Sequence, residues 1–295
     1  MKLGFVGLGA MGLPMTRNLL EAGHAVSVAS RSRPPIDAAV AAGATDAGTI
    51  ADVAAAAEVV FVCVPNSPDV VAVLNEMLPA LGPGKVVIDC STIDPDTERE
   101  QHARVSATGC GYLDAPLSGG TVGAERGTLT VMVGGDASVL DSVREALAPV
   151  SSLVVHVGGP GMGQVVKLCN NLVYAAQMLA TAEATALALR AGADPAQLHQ
   201  VLTHSTGDCV AVRTRLPVAG VVPDSPASND WKPGFMTDLM AKDLDLALGF
   251  GARSGVPLAS VAVVRQVLTA ASVAGWGRED FSALAKVVLE LAGIT

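Results

Sequence analysis

Aromatic side chains are scarce in this chain of 295 residues, at 3%. A basic surplus is absent as well: 19 Lys and Arg stand against 28 Asp and Glu, giving a net charge of −9. That balance excludes nucleic-acid recognition through a broad basic surface, while leaving room for a local positive site on an acidic protein. Cysteine is sparse. Cys63, Cys90, Cys110, Cys169 and Cys209 form no C-x-x-C pair and no metal-ligand spacing, and no H-E-x-x-H occurs. Neither a disulfide framework nor a bound metal is expected, and the scattered thiols read as buried and reduced. No uninterrupted apolar run approaches the roughly 18–20 residues of a membrane span, and the N-terminus lacks a basic leader region and a cleavage site. A cytoplasmic protein with no nucleic-acid, membrane or metal partner is the expectation.

What is present is small and apolar: half the residues are hydrophobic and 31 are glycine. The length allows two domains. Short apolar runs at 3–6, 25–29, 59–64, 86–89, 112–115, 129–133 and 153–157 alternate with helical stretches at 13–22, 35–42, 50–57, 68–81, 97–108 and 137–148. Such alternation implies an α/β fold with a mostly parallel sheet and helices on both faces. From residue 164 to about 191 no Pro or Gly interrupts one helical run, which Gly192 stops. At ~1.5 Å per residue this helix is about 40 Å long, enough to join two domains. The remainder reads as helix with loops at 207–208, 217–234 and 255–257. A Rossmann-type domain over 1–162 and an all-α domain over 163–295, opened by the long interdomain helix 163–191, are expected. Apolar helices poor in aromatics suit packing against a second copy, hence a homodimer or homotetramer.

The chain opens Met1-Lys-Leu-Gly-Phe-Val-Gly7-Leu-Gly9-Ala-Met-Gly12, an apolar run breaking into G-x-G-x-x-G and then into a helical pattern. Gly7 allows a tight turn, Gly9 lets a pyrophosphate approach the backbone, and Gly12 lets the helix sit on the sheet. Backbone from Gly7, Gly9, Ala10, Met11 and Gly12 is thus assigned to a dinucleotide, held at the positive end of the helix. The end of the second strand selects between NAD and NADP. Here Ser30-Arg31-Ser32 stands with no acidic residue before Asp37, which favours NADP(H) over NAD, the 2′-phosphate resting on Ser30 and Arg31. A solvated surface arginine is the alternative. Val64-Pro65 and Thr92 lie at the same sheet edge and are assigned to the ribose and nicotinamide. Thr92 could equally cap the helix that follows.

Asp114-Ala-Pro-Leu-Ser118-Gly119-Gly120 leaves a strand into a glycine-rich turn whose N–H groups and hydroxyl suit a carboxylate; a ligand-free loop is the plain alternative. Lys167 and Asn171 are i and i+4 on the long helix and share a face, although an exposed lysine fits the spacing too. Asp238 and Lys242 could be an ordinary i,i+4 surface pair.

Taken together these segments resemble the β-hydroxyacid dehydrogenase family, which includes 3-hydroxyisobutyrate dehydrogenases and the reductases of tartronate semialdehyde, glyoxylate and succinic semialdehyde. The resemblance spans essentially the whole chain. It rests on G-L-G-x-M-G-x-P-M at residues 7–15, D-A-P-x-S-G-G at 114–120, G-x-x-x-K-x-x-x-N at 163–171 and K-D-L at 242–244. The run Gly123-Ala-Glu-Arg-Gly-Thr-Leu129 with Val131-Met-Val-Gly-Gly135 is also similar. It implies that Lys167 is catalytic, that Ser118, Gly119 and Gly120 clamp the substrate carboxylate, and that Asn171 orients the substrate. It further implies that Lys242 touches the cofactor and that Phe235 closes over the nicotinamide. Ser30-Arg31-Ser32 resembles the N-R-T of NADP-using members.

The implied reaction moves a hydride between nicotinamide C4 and the carbonyl carbon of a semialdehyde or short β-keto acid, with Lys167 protonating the oxygen. A lysine pKa near ~10.4 suits proton donation at neutral pH. No Tyr-x-x-x-Lys exists, since Tyr112 and Tyr174 are followed four residues on by Pro116 and Met178. An imine reductase on this fold usually carries another residue where Lys167 stands, and a non-catalytic NADP-binding module would not need Lys167, Asn171 and Ser-Gly-Gly together. Arg213 or Arg215 could meet a second anionic group on the substrate.

Overall fold

The alternating apolar runs and helical stretches become a nine-stranded sheet followed by helices, in a computed structural model that describes residues 1–294. The order is β1 (Lys2–Val6), α1 (Gly12–Glu21), β2 (Ala25–Ala29), α2 (Arg33–Ala41), β3 (Thr45–Asp46), α3 (Ile50–Ala56), β4 (Val59–Val62), α4 (Ser67–Met77), β5 (Val86–Asp89), α5 (Pro95–Ser106), β6 (Gly111–Asp114), β7 (Leu117–Ser118), α6 (Gly120–Arg126), β8 (Leu129–Gly135), α7 (Ala137–Leu147) and β9 (Ser151–Gly158). The strands lie in the order β3-β2-β1-β4-β5-β6-β8-β7, with β9 also paired to β8. All pairings are parallel except β6 and β7 on β8. The expected mostly parallel α/β sheet is present.

Successive strand residues point to opposite faces, and each face is buried. Phe5, Phe61, Ile88 and Leu113 pack with Met15 and Leu19 of α1 and Leu140 and Leu147 of α7. Phe5 and Phe61 stack at 5.7 Å between ring centroids. On the other face Val60, Val62, Val87 and Tyr112 meet Val53 of α3, Val70 and Leu74 of α4 and Val105 of α5. Side chains start several helices by accepting orphan N–H groups: Thr49 caps α3, Asn66 caps α4 and Asp94 caps α5.

Three elements depart from the sequence reading. β3 and β7 are two residues each, too short to show a period. Gly120-Thr-Val-Gly-Ala-Glu-Arg126 lies outside the helical stretches read from the sequence, since glycine and β-branched residues are poor helix formers. It folds as α6 because Gly123 and Ala124 are buried and the Asn18 amide donates to the Ala124 carbonyl at 2.8 Å. Tertiary contact overrides local propensity.

The chain divides into two compact units, Met1–Lys167 and Leu168–Thr295. The boundary falls inside α8 (Met162–Arg190), a helix of 29 residues. The second unit continues with α9 (Pro195–Thr203), α10 (Val210–Arg215), α11 (Thr237–Arg253), α12 (Ala259–Ala271) and α13 (Leu284–Leu291). Its core joins Ala175, Met178 and Ala182 of α8 to Met240 and Leu244 of α11, Val264 and Leu268 of α12, and Leu284. α8 and the segment Ala259–Trp276 are long and apolar enough by composition to cross a bilayer. Scattered polar residues interrupt both, so neither is an unbroken apolar run. Core helices of water-soluble proteins meet the same criterion.

Candidate active site

The three glycines of the opening loop occupy different environments. Gly7 has φ +99°, and a Cβ there would lie 2.2 Å from the Cys63 carbonyl oxygen. A Cβ on Gly12 would lie 2.0 Å from the Gly7 oxygen. Gly7 is therefore needed for the turn and Gly12 for the close seat of α1. Gly9 faces open space, with no atom within 4 Å of its Cβ position. Exposed Ala10 and half-buried Met11 follow, and α1 begins with no side-chain cap and no acidic residue in its first turn. Those orphan N–H groups beside an open backbone fit a pyrophosphate.

The neighbouring strand ends form a hydrogen-bonded rim along the carboxyl edge of the sheet. Gly7 N–H donates to the Ala29 oxygen at 3.1 Å, which sets Ser30 beside the loop. Val64 N–H donates to Ser91 Oγ at 3.0 Å, and Ser91 N–H donates to Asp89 Oδ1 at 2.9 Å. These bonds place Val64, Pro65 and half-buried Thr92 on adjacent strand ends. Thr92 does not cap α5; Asp94 does, accepting from the N–H groups of Asp96 and Thr97. Ser30 is half-buried and Ser32 exposed, while the Arg31 guanidinium is 78% exposed and pairs with Asp69 at 3.2 Å.

Asp114 sits at the end of β6 and is buried. Its carboxyl accepts from Gly161 N–H at 2.9 Å and Gln164 N–H at 3.1 Å, anchoring the start of α8. The approach is close: a Cβ on Gly163 would lie 2.4 Å from the Met132 oxygen and 2.7 Å from Asp114 Oδ2. Gln164 is buried and turns its side chain toward the strand-end segment, bonding Ser91, Ile93 and Glu98. Three carboxyls crowd this region. Burial pushes Asp89 up to about 6. Burial, reinforced by Asp89 and Asp114, drives Glu98 well above the usual carboxylate range, and burial also raises Asp114. Lys167 lies one turn beyond Gln164 and is buried, at 8% exposure.

Ser118 ends β7 and is half-buried. Gly119 and Gly120 follow with φ of +134° and +62°, conformations that L side chains rarely adopt. The first helical bond of α6 runs from Gly123 N–H to the Gly119 oxygen, so the preceding N–H groups lack helical partners and suit an anion.

In the second unit Asn171 is buried and donates to Asp243 Oδ2 at 2.6 Å, while Lys242 pairs with Asp243 Oδ1 at 3.1 Å. The structure thus brings Asn171 and Lys242 to one buried carboxylate. Asp243 is the residue that spacing missed; its signal is the acid of K-D-L, set 72 residues from Asn171 and linked to it only by folding. Half-buried Phe235 belongs to a second hub. Asp280, fully buried, accepts from the N–H groups of Gly234 at 3.1 Å and Phe235 at 3.2 Å, from Ser282, and from Arg215 at 3.0 Å. Arg215 also lies 5.4 Å from the ring centres of Tyr174 and Phe281. Arg213 pairs with Asp208. Both arginines that were candidates for a second substrate anion therefore carry a carboxylate partner. No cluster of three metal-ligating side chains occurs among the described residues.

Residues 2–158 match the family model of the NAD binding domain of 6-phosphogluconate dehydrogenase. Residues 161–288 match that described as NAD-binding of NADP-dependent 3-hydroxyisobutyrate dehydrogenase. A probable 3-hydroxyisobutyrate dehydrogenase of Mycobacterium tuberculosis is 43% identical over 260 residues, 88% of each chain. A solved structure of 3-hydroxyisobutyrate dehydrogenase from that organism, with L-serine, superposes with a TM-score of 0.92 at 40% identity, covering 97% of this chain and 98% of the other. An NAD-dependent L-serine dehydrogenase of Pseudomonas aeruginosa is 39% identical over 97% of both chains. An imine reductase from Pseudomonas sp. is more distant and shares the fold, with a TM-score of 0.65 at 23% identity over 97% of this chain and 99% of the other. With both halves matched and relatives aligned along nearly the full length, the chain belongs to the β-hydroxyacid dehydrogenase family and is an NAD(P)-dependent oxidoreductase of small hydroxyacids.

Proposed function

We propose that Lys167 is the general acid–base of a dehydrogenase acting on short β-hydroxyacids or the matching semialdehydes, with NADP(H) as the preferred cofactor. The observation that carries this reading is burial. Lys167 is the buried lysine among the six in the chain, on a helix whose start is fixed by Asp114. Burying an amine costs desolvation, and an acid–base that holds the reacting oxygen gives that burial a use.

Bound nicotinamide supplies or accepts the hydride. The backbone of Gly7, Gly9, Ala10, Met11 and Gly12 would hold the pyrophosphate, Val64, Pro65 and Thr92 the nicotinamide riboside, and Phe235 and Lys242 would complete the cofactor site. Ser118, Gly119 and Gly120 would bind the substrate carboxylate. Asn171, its amide oriented by Asp243, would orient the hydroxyl-bearing carbon. In the reducing direction Lys167 donates a proton to the developing alkoxide; in oxidation it takes that proton back. NADP(H) is supported by the absence of an acid at the end of β2 and by Arg31 there. The engagement of Arg213 and Arg215 with carboxylates supports a monocarboxylate substrate. Exposed apolar side chains on the helical unit, including Leu187, Val273 and Leu291, support a homodimer or homotetramer, which sedimentation would measure.

A panel of 3-hydroxyisobutyrate, L-serine, glyoxylate, tartronate semialdehyde and succinic semialdehyde, each with both cofactors, tests the reading. Turnover of at least one with tighter binding of NADPH than NADH is expected; tighter NADH binding overturns the cofactor preference. Lys167→Ala should lose about 10²–10⁴ in kcat while still binding cofactor. Full activity in that variant would remove Lys167 from the mechanism.

A further inference from the structure

We propose that Gln164 is a positioning residue: its side-chain amide locks the first turn of α8, and with it Lys167, to the strand-end segment that carries Thr92. This rests on the reading of Lys167 as the acid–base. Gln164 is fully buried and every polar atom of its side chain is used. Nε2 donates to the Ser91 carbonyl at 2.9 Å and to Glu98 Oε2 at 3.1 Å, and Oε1 accepts from Ile93 N–H at 3.1 Å. The amide thereby serves the carbonyl of residue 91 and the N–H of residue 93 as a neighbouring strand would, with Thr92 held between them.

This attachment differs from the one Asp114 makes. Asp114 grips backbone N–H groups of Gly161 and Gln164, which fixes where α8 begins. A helix held only at its end can still rotate about its axis. The Gln164 side chain adds a second, off-axis point, and Lys167, three residues on, lies on the same helical face. The rotation that aims Lys167 is therefore set by the same amide that holds Thr92. Glutamine suits the place because a carboxylate would face the Ser91 carbonyl and Glu98 without a proton to donate, and an apolar side chain would leave three buried polar groups unsatisfied. Burial raises Glu98 well above its ordinary range, and its Oε2 accepts from the amide.

Gln164→Met, of similar volume, and Gln164→Asn, which keeps an amide too short to reach, test this in the full-length protein. Saturating kcat should fall at least tenfold in both, with substrate KM within about threefold, and the deuterium isotope effect from C4-deuterated cofactor should rise as hydride transfer becomes slower. Exchange of the Ile93 amide, slow in the parent protein, should accelerate at least tenfold. A folded variant that keeps kcat within twofold overturns the proposal, as does an Ile93 amide in the parent protein that exchanges like an unbonded one. A parent protein that turns over none of the panel defeats the functional reading instead, and the clamp is then decided by Ile93 exchange alone.

Discussion

Two groups of buried carboxyls serve the two units in different ways. In the sheet unit Asp89, Glu98 and Asp114 sit together with backbone N–H groups, one amide and Tyr112 as neighbours, and burial is the main influence on each. Their pKa values rise in consequence. In the helical unit Asp280 collects Arg215, two loop N–H groups and Ser282. Burial shifts the first group toward the protonated acid, whereas the second is met by an arginine and by hydrogen-bond donors. A buried carboxyl without a cation can be protonated and remain; one matched to an arginine depends on that partner.

The largest effect should come from breaking the matched hub. Asp280→Ala leaves Arg215 without its carboxylate and releases the N–H groups of Gly234 and Phe235, a loss of about 3–5 kcal/mol that denaturant unfolding would measure. A milder loss would show that Arg215 is stabilised mainly by Tyr174 and Phe281. Gly163→Ala comes next. Its Cβ would press Met132 and Asp114, at a cost of about 1–3 kcal/mol, and kcat should fall with Tm because Lys167 shifts.

The acid cluster should respond to pH. Asp89 ionises near ~3.9 in the unfolded chain and at about 6 in the folded one. Between those values the folded state holds the extra proton, so stability falls as pH rises from about 4 to about 6 and then levels. Asp89→Asn keeps an acceptor for Ser91 N–H and removes the titration. Its Tm relative to the parent should therefore rise between pH 5 and pH 7, and a constant difference would refute the assignment. The smallest effect on stability belongs to Arg31→Ala. That exposed pair with Asp69 should leave Tm unchanged, while the NADPH-to-NADH binding ratio drops.

Much of the sheet unit was legible because its signals are local. Apolar runs marked seven of the nine strands, and G-x-G-x-x-G with a following helix marked the loop whose Gly9 proves open. What escaped was short or context-driven: β3 and β7 offer no period, and α6 forms against weak propensity because Ala124 and Asn18 meet across the fold. The site divides similarly. Lys167 and Asn171 stood out at i,i+4, but Asp243 and Gln164 carry no pattern of their own.

By itself the sequence determined the longer strands and helices of the sheet unit, the dinucleotide loop and the family, since the signals for each lie in residues adjacent or one turn apart. Only the tertiary structure decided that Lys167 is buried, that Arg215 is matched by Asp280, and that Gln164 ties α8 to Ser91 and Ile93. Those facts join residues about 65 to 75 positions apart, and burial and hydrogen-bond partners at that separation arise from packing rather than from local order.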